Sequence, residues 1–152
     1  FSSTNTIGAF LNNDYLNPGN GYLTSEDIEM IEDSTPWYLG TVGNGVSYKL
    51  AKYTNATDNI LTSNVTTAKV GLLRMGELMA GQFDIYDNNT SYWTLTPYSS
   101  SYLRGVGDFG YASASIPSNA YGVRPSINLK SNVIITGGEG TLQNPFTLAL
   151  AN

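Results

Sequence analysis

The chain has 152 residues, with 7 Lys plus Arg against 12 Asp plus Glu, and therefore a net charge of -5. So few basic residues cannot neutralise a run of phosphates, and we expect neither nucleic acid nor an anionic membrane as a partner. Cysteine and histidine are absent, which removes thiol nucleophiles, Cys or His metal sites and every Ser-His-Asp arrangement. Hydrophobic residues make up 41%, so we predict one domain, residues 1–152, with a packed core.

The first part of the chain predicts two helices. Apolar residues recur at helical spacing from Ile7 to Tyr15, and Pro18 with the glycines after it ends this helix. Thr24 is a suitable N-cap for a second helix. Asp27 follows three residues later, which completes the pattern of a capping box.

The rest of the chain predicts mainly strands. The clearest signal is a hairpin, because aromatic and β-branched runs flank an Asn-Gly step. Its arms are WYLGTV at 37–42 and VSYKL at 46–50. The Thr- and Asn-rich residues 51–68 predict an exposed excursion. Further predicted elements are a strand at 69–73, a short helix at 74–80, and strands at 92–97, 121–129 and 132–137. A turn and a last strand are predicted within 138–146.

The segment between Pro97 and Gly122 is the most informative. Of its 24 residues, 13 are Ser, Tyr or Gly. Tyrosine with serine and glycine is the composition of antibody binding loops, because tyrosine gives large contact area at low entropy cost. Structureless connections of this length are uncommon and are often functional. The segment therefore predicts a long binding loop, the alternative being an exposed loop whose tyrosines pack back on the core.

Calcium is the one cofactor that the residues allow. Asp84, Asp87, Asn88 and Asn89 bring four oxygen-bearing side chains within six residues, and hard cations prefer oxygen ligands. The spacing differs from the twelve-residue calcium loop, and a polar turn explains it as well. We therefore predict no resident metal or cofactor, with these residues as the calcium alternative.

The order of several motifs resembles a bacterial surface-protein family of unknown function over nearly the whole chain. The motifs are FLN, WYLG, VGLLRMGEL, YWTLTP, YGVRPSINL and GEGTLQNPF. More distantly, Trp93 and Thr94, a variable loop, and Gly122 to Arg124 resemble the formylglycine-generating-enzyme-like branch of the C-type lectin fold. Retroelement-diversified binding proteins share that ending. The resemblance implies an α+β, C-type lectin-like fold, with two N-terminal helices flanking small antiparallel sheets and a long loop region near the C-terminus.

By position, the resemblance assigns ligand binding to residues between the Trp strand and the Val-Arg strand. These are Tyr98, Tyr102, Arg104, Asp108, Phe109 and Tyr111. It gives Trp93 and Arg124 structural roles, with Arg124 on a central strand supporting buried carbonyls or a carboxylate. The sulfatase-activating activity of that branch requires cysteines, and the calcium triplets of sugar-binding lectins are absent, so neither property carries over.

The expected function is a non-enzymatic recognition or adhesion module that binds a surface glycan or protein receptor. The absence of cysteine favours a location outside a bacterial cell or on a phage particle over a disulfide-rich secreted domain. The alternative is the globular head of a pilin or other filament subunit whose membrane helix lies upstream of Phe1, able to self-assemble. A carboxylate glycosidase is disfavoured, because Asp108 is the only acid in the aromatic segment. No run of 18 apolar residues is present, and we expect no membrane insertion of this fragment.

Overall fold

A computed structural model describes residues 6–39, 65–80 and 89–151. Short helices and small antiparallel sheets alternate along these residues, which confirms the mixed α and β class predicted from the sequence. The elements in chain order are α1 (Thr6–Ala9), a π-helix (Phe10–Asp14), a 3-10 helix (Pro18–Asn20), α2 (Ser25–Met30), β1 (Thr35–Tyr38), β2 (Val65–Ala68), β3 (Val70–Gly71), α3 (Met75–Ala80), β4 (Tyr92–Pro97), β5 (Leu103–Val106), β6 (Ala112–Ser115), β7 (Ser126–Ile127), β8 (Val133–Gly137) and β9 (Thr147–Leu150).

The predicted first helix is present as α1 followed directly by the π-helix. Its apolar stripe faces the main hydrophobic core, where Leu11 is fully buried and Ile7, Phe10 and Tyr15 pack against the buried residues. A helix this short is marginal in isolation, so its stability comes from this packing.

Asn12 joins this helical segment to β3. Its Nδ2 donates to the carbonyl of Val70 at 2.9 Å, and its Oδ1 accepts from the backbone N–H of Val70 at 3.0 Å. The side-chain amide thus pairs with the backbone of Val70 as a residue of a neighbouring strand would. One residue of the FLN motif therefore fixes where the helix meets the sheet.

The predicted capping box at the start of α2 is confirmed. The backbone N–H of Asp27 donates to Thr24 Oγ1 at 3.1 Å, while the backbone N–H of Thr24 donates to Asp27 Oδ2 at 2.9 Å. The Thr24 hydroxyl donates to the same carboxylate at 2.8 Å. Hydrogen bonds from the Thr24 backbone and then its side chain hold the pKa of Asp27 below its ordinary value of 3.8.

Strand β1 pairs with β2, which sequence analysis assigned to the exposed excursion 51–68; that assignment was wrong for 65–68. The segment VTTA has β-branched residues but no apolar alternation, so its pairing partner decides its structure. Trp37 Nε1 donates to the Ala68 carbonyl at 3.0 Å, and the indole covers Gly71 so closely that a Cβ there would lie 2.5 Å from Cε2. The turn of the predicted hairpin and its arm at 46–50 lie outside the described residues.

Strands β4, β5 and β6 form a three-stranded sheet with β5 in the middle. Every residue from Tyr92 to Thr96 is buried, because β4 has apolar clusters on both faces. Trp93 and Leu95 belong to the main core, and Tyr92 packs with Met75 and Val106 on the other face. The strand and the helix predicted at 92–97 and 74–80 are thereby confirmed.

The prediction of a long structureless loop between Pro97 and Gly122 was wrong. The segment contains β5 and β6, which pair in the register Leu103 to Ser115 and Val106 to Ala112. The sequence does not predict these strands, because β6 has the sequence Ala-Ser-Ala-Ser and contains no large apolar residue that would indicate a buried face. Strand β5 pairs with the buried strand β4 and β6 pairs with β5, so backbone hydrogen bonds supply the order that the side chains do not indicate.

The region predicted as one strand at 121–129 pairs only briefly with its neighbours. Gly122 bridges Tyr92, β7 pairs with β3, and Leu129 bridges Ile31. Arg124 lies between these contacts and belongs to no strand, which corrects its predicted place on a central strand. Each partner offers only one or two residues for pairing, so no long strand forms here.

The last two strands, β8 and β9, form a hairpin, and β8 confirms the strand predicted at 132–137. The final strand was predicted within 138–146 but is Thr147–Leu150, because residues 138–146 connect the two strands. Large apolar side chains are exposed on this hairpin and its turn. They are Ile134, Ile135, Leu142, Phe146 and Leu148, with Leu142 92% exposed. An apolar surface of this kind is typical of a contact with another molecule.

Candidate functional site

The predicted ligand-binding residues lie at two turns of the three-stranded sheet. The first aromatic turn joins β4 to β5 and is defined here as residues 98–102 together with Arg104. Its ends are tied because the backbone N–H groups of Tyr98 and Ser99 both donate to the Tyr102 carbonyl, at 3.0 and 3.1 Å. The guanidinium carbon of Arg104 lies 4.3 Å from the centre of the Tyr98 ring, a cation-π contact. Tyr98 is 48% and Tyr102 44% exposed.

The second aromatic turn joins β5 to β6 and comprises residues 107–111. Gly110 has a φ of 78°, a left-handed conformation that favours glycine, and it closes the turn with its N–H on the Gly107 carbonyl at 2.9 Å. Phe109 is 72% and Tyr111 55% exposed. Asp108 Oδ1 accepts from the backbone N–H of Phe109 at 3.2 Å.

The Tyr111 ring covers Gly107 at the base of this second turn. A Cβ at Gly107 would lie 2.5 Å from Tyr111 Cζ, so only glycine leaves room for the ring at this place. One face of the ring is packed and the other is available for contact. Tyr111 is therefore a fixed surface ring, unlike Phe109, which projects from the tip.

The two aromatic turns lie at opposite ends of β5. Tyr102 and Gly107 are five residues apart along extended backbone, which corresponds to about 17 Å. The structure therefore groups Tyr98, Tyr102 and Arg104 separately from Asp108, Phe109 and Tyr111. Sequence analysis treated all six as one surface because it placed them in one loop.

Trp93 and Arg124 each pack on an aromatic ring, and the two rings belong to different faces of β4. Trp93 is 4% exposed and stacks on Tyr121 with ring centroids 4.4 Å apart. The Tyr121 hydroxyl is 2.6 Å from Ser115 Oγ of β6, so this pair ties the edge strand to the core. Arg124 lies over the Tyr92 ring, with 4.1 Å between its guanidinium carbon and the ring centre.

The candidate calcium ligands Asp84, Asp87 and Asn88 lie outside the described residues. In the part of the chain that the structure describes, no three acidic side chains come close enough together to hold a metal ion. Asn89 has a positive φ of 51° at the turn before β4. Asparagine tolerates this conformation better than most residues, so the backbone of the turn explains an asparagine at position 89.

Sequence analysis missed a pocket of about 360 Å³, which we name the β1 pocket. Its described lining comes from β1, from β7 with Asn128, from Leu95 of β4, and from Leu73, Arg74 and Glu77. The residues come from four separate stretches of the chain. The only local sign of this pocket in the sequence is the pair Arg74 and Glu77, a basic and an acidic residue three positions apart. Such pairs are common on helices and do not by themselves indicate a pocket.

Arg74 is 1% exposed and fixes one side of this pocket. Its Nη1 donates to the carbonyl of Tyr38 at 3.0 Å and to the carbonyl of Leu39, and its backbone N–H donates to Glu77 Oε2 at 2.9 Å. Burial lowers the pKa of Arg74, and the charge of the Glu77 carboxylate opposes that shift. The guanidinium thus holds the end of β1 against the start of α3.

A second group of charges surrounds Asp33. Lys69 Nζ lies 2.9 Å from Asp33 Oδ1 and Lys130 Nζ lies 3.5 Å from Oδ2. The hydrogen bond and charge of Lys69, and then the charge of Lys130, hold the pKa of Asp33 below its ordinary range. These are exposed ion pairs, and they connect the segment before β1 with the junction of β2 and β3 and with the segment between β7 and β8.

Comparison of the chain with protein-family models, with curated proteins and with solved structures gives no match. Across the described ranges, no helix has both the length and the apolar character needed to cross a bilayer.

Proposed function

We propose that this chain is a non-enzymatic recognition module with a C-type lectin-like fold, displayed outside a bacterial cell or on a phage particle. The observation that carries the proposal is the exposure of four large aromatic side chains on two tight turns: 48% for Tyr98, 44% for Tyr102, 72% for Phe109 and 55% for Tyr111. Exposed rings on fixed backbone contact a ligand without a large entropy loss. The ligand is a surface glycan or a protein receptor, and no nucleic acid is involved.

Rigid support beneath the turns strengthens this proposal. Strand β4 is buried, its threonines are hydrogen-bonded, and the Trp93 and Tyr121 rings stack on each other. Binding residues held on a packed scaffold are preorganised, which lowers the cost of binding. In the first aromatic turn, Arg104 adds a fixed positive charge beside the Tyr98 ring.

The test uses two double variants, because the turns are about 17 Å apart and a small ligand contacts only one of them. Tyr98→Ala with Tyr102→Ala removes the first surface, and Phe109→Ala with Tyr111→Ala removes the second. Met79→Ala, at a residue of α3 that is 46% exposed, is the control for loss of surface apolar area. We expect one double variant to lose binding on glycan and cell-surface arrays, with each variant folded and the control unchanged.

Array results also separate the two ligand classes. Binding of the wild-type protein to purified glycans indicates that the ligand is a sugar. Binding to cell-surface components that protease treatment removes indicates that the ligand is a protein receptor. The proposal is rejected if the well-folded wild-type protein binds nothing, or if both double variants bind as it does. A large loss of stability in a double variant means that its rings serve the core instead.

The exposed C-terminal hairpin favours one alternative, a structural filament subunit. Ile134 and Ile135 are neighbours on β8 and therefore point to opposite faces, yet they are 47% and 60% exposed. A subunit that self-associates buries such residues between copies. Sedimentation velocity of the wild type and of Ile135→Lys tests this: concentration-dependent assembly that the variant loses supports the filament, and a monomer at all concentrations rejects it.

A further inference from the structure

The β1 pocket has the size of a small-molecule site. Its volume of about 360 Å³ lies in the lower part of the range of roughly 300 to 1,000 Å³ typical of ligand pockets. It therefore has room for a single ring and its substituents. None of the six residues predicted to bind ligand is among the described residues that line it.

Among the residues of the pocket wall that the structure describes, one positive and one negative side chain balance. Arg74 contributes a guanidinium that is bound to two carbonyl groups, and Glu77 contributes a carboxylate whose Oε2 accepts from the Arg74 backbone. A ligand with a net charge meets one group of like sign whichever charge it carries. Because removing an uncompensated charge from water is costly, this arrangement favours a neutral ligand.

The remaining walls have two kinds of surface. Leu73 is 39% and Ile127 41% exposed, so apolar side chains are available for contact with a ligand. Ser126 and Asn128 also line the pocket, and their side chains carry a hydroxyl and an amide, groups that both donate and accept hydrogen bonds. The 3.3 Å bond from Asn128 Nδ2 to Thr35 Oγ1 is long, so the amide exchanges it for a ligand at small cost.

We infer that the β1 pocket binds one neutral, hydroxyl-bearing ring, a single monosaccharide unit. A pyranose ring has an apolar face of C–H groups for Leu73 and Ile127, and a rim of hydroxyls for Glu77, Ser126 and Asn128. This inference rests on the proposed recognition function and adds a subsite separate from both aromatic turns. It requires no calcium.

The test is an NMR titration of the labelled protein with single sugars. The neutral probes are glucose, galactose and N-acetylglucosamine, and the charged probes are glucuronate and glucosamine. We expect at least one neutral sugar to shift the backbone resonances of Leu73, Ile127 and Asn128 at millimolar concentration. The two charged sugars bind more weakly by about fivefold, the factor expected from one screened like-charge contact.

Variants connect these shifts to the proposed groups. Asn128→Ala weakens binding at least several-fold, while Asn132→Ala, at an exposed asparagine in the following turn, leaves it unchanged. Glu77→Gln keeps an oxygen that accepts from the Arg74 backbone but leaves the guanidinium charge uncompensated. This variant therefore shifts the preference from neutral sugars toward glucuronate.

Three results overturn the inference. One is the absence of any shift at Leu73, Ile127 and Asn128 up to about 50 mM sugar, a concentration well above the Kd of even weak sites. Another is equal binding of neutral and charged sugars, and the third is a set of shifts confined to the aromatic turns. The third result rejects the sugar site in the pocket but leaves the proposed recognition function standing. The recognition function is rejected by a different result, namely array binding that is unchanged in both aromatic-turn variants.

Discussion

Replacing Asn12 by aspartate tests the joint between the N-terminal helical segment and β3. The native amide makes two bonds with Val70, of 2.9 Å from Nδ2 to the carbonyl and 3.0 Å from the N–H to Oδ1. Nδ2 also donates to the Gly8 carbonyl at 3.1 Å. Aspartate has the same shape and keeps the acceptor, but an ionised carboxylate has no hydrogen to donate.

The expected loss of stability at neutral pH is about 3–5 kcal/mol. Each of the two donated bonds is worth about 1 kcal/mol net, and a buried carbonyl left without a donor costs roughly 1–3 kcal/mol. The Val70 residue is fully buried, so water does not readily replace the lost donor. Repulsion between the carboxylate and the Val70 carbonyl oxygen acts in the same direction.

This loss depends on pH with a definite sign. Protonation of the introduced carboxyl restores an O–H that donates to Val70, so folding raises the pKa of this group above about 3.9, its value in the unfolded chain. A group whose pKa is raised by folding stabilises the protein below its unfolded pKa, and this stabilisation is lost as pH rises through the folded value. The difference from the wild type is therefore small near pH 3 and reaches its full size near pH 7.

Urea unfolding followed by tryptophan fluorescence at several pH values measures the effect, since Trp37 and Trp93 are both buried. Asn13→Asp is the matched control, because Asn13 is exposed and the substitution adds the same charge one residue away. We expect the control to change the free energy of unfolding by less than about 0.5 kcal/mol. Equal losses in the two variants, or a loss at position 12 that does not vary with pH, would refute the reasoning.

Three further predictions concern packing, capping and surface charge. Gly71→Ala places a Cβ 2.5 Å from Trp37 Cε2, and we expect urea unfolding to show a loss of about 1–3 kcal/mol from overpacking. Thr24→Ala removes the N-cap of α2 and costs about 0.5–2 kcal/mol, and the contribution of Asp27 in the wild type is lost as pH falls below about 3.8. Asp33→Asn lowers the thermal midpoint slightly in dilute buffer, and a difference that persists in about 1 M salt would contradict an ion-pair origin.

Local chemistry made the N-terminal elements predictable. The capping box of α2 involves Thr24 and Asp27 only, three residues apart, so the pattern contains both partners of the interaction. The helical spacing from Ile7 to Tyr15 likewise defined the face that contacts the core. The buried strand β4 was readable because apolar and β-branched residues run through it between turn signals.

Pairing between distant segments was not predictable in the same way. VTTA at 65–68 is a strand because β1 lies beside it, and ASAS at 112–115 is a strand because β5 does. Neither segment carries an apolar alternation of its own. Backbone hydrogen bonds to the neighbouring strand decide their structure, and the local sequence of a segment does not indicate which strand will pair with it.

Sequence alone determined which residue types this protein uses for contact. It has no cysteine or histidine, few charges, and tyrosines concentrated between Pro97 and Gly122. The tertiary structure alone decided where those residues lie. Two hairpins place the aromatic turns at opposite ends of β5, and four stretches of the described residues meet around the β1 pocket. Composition is a property of each residue, whereas a surface or a pocket depends on which strands pair, and that depends on the whole chain.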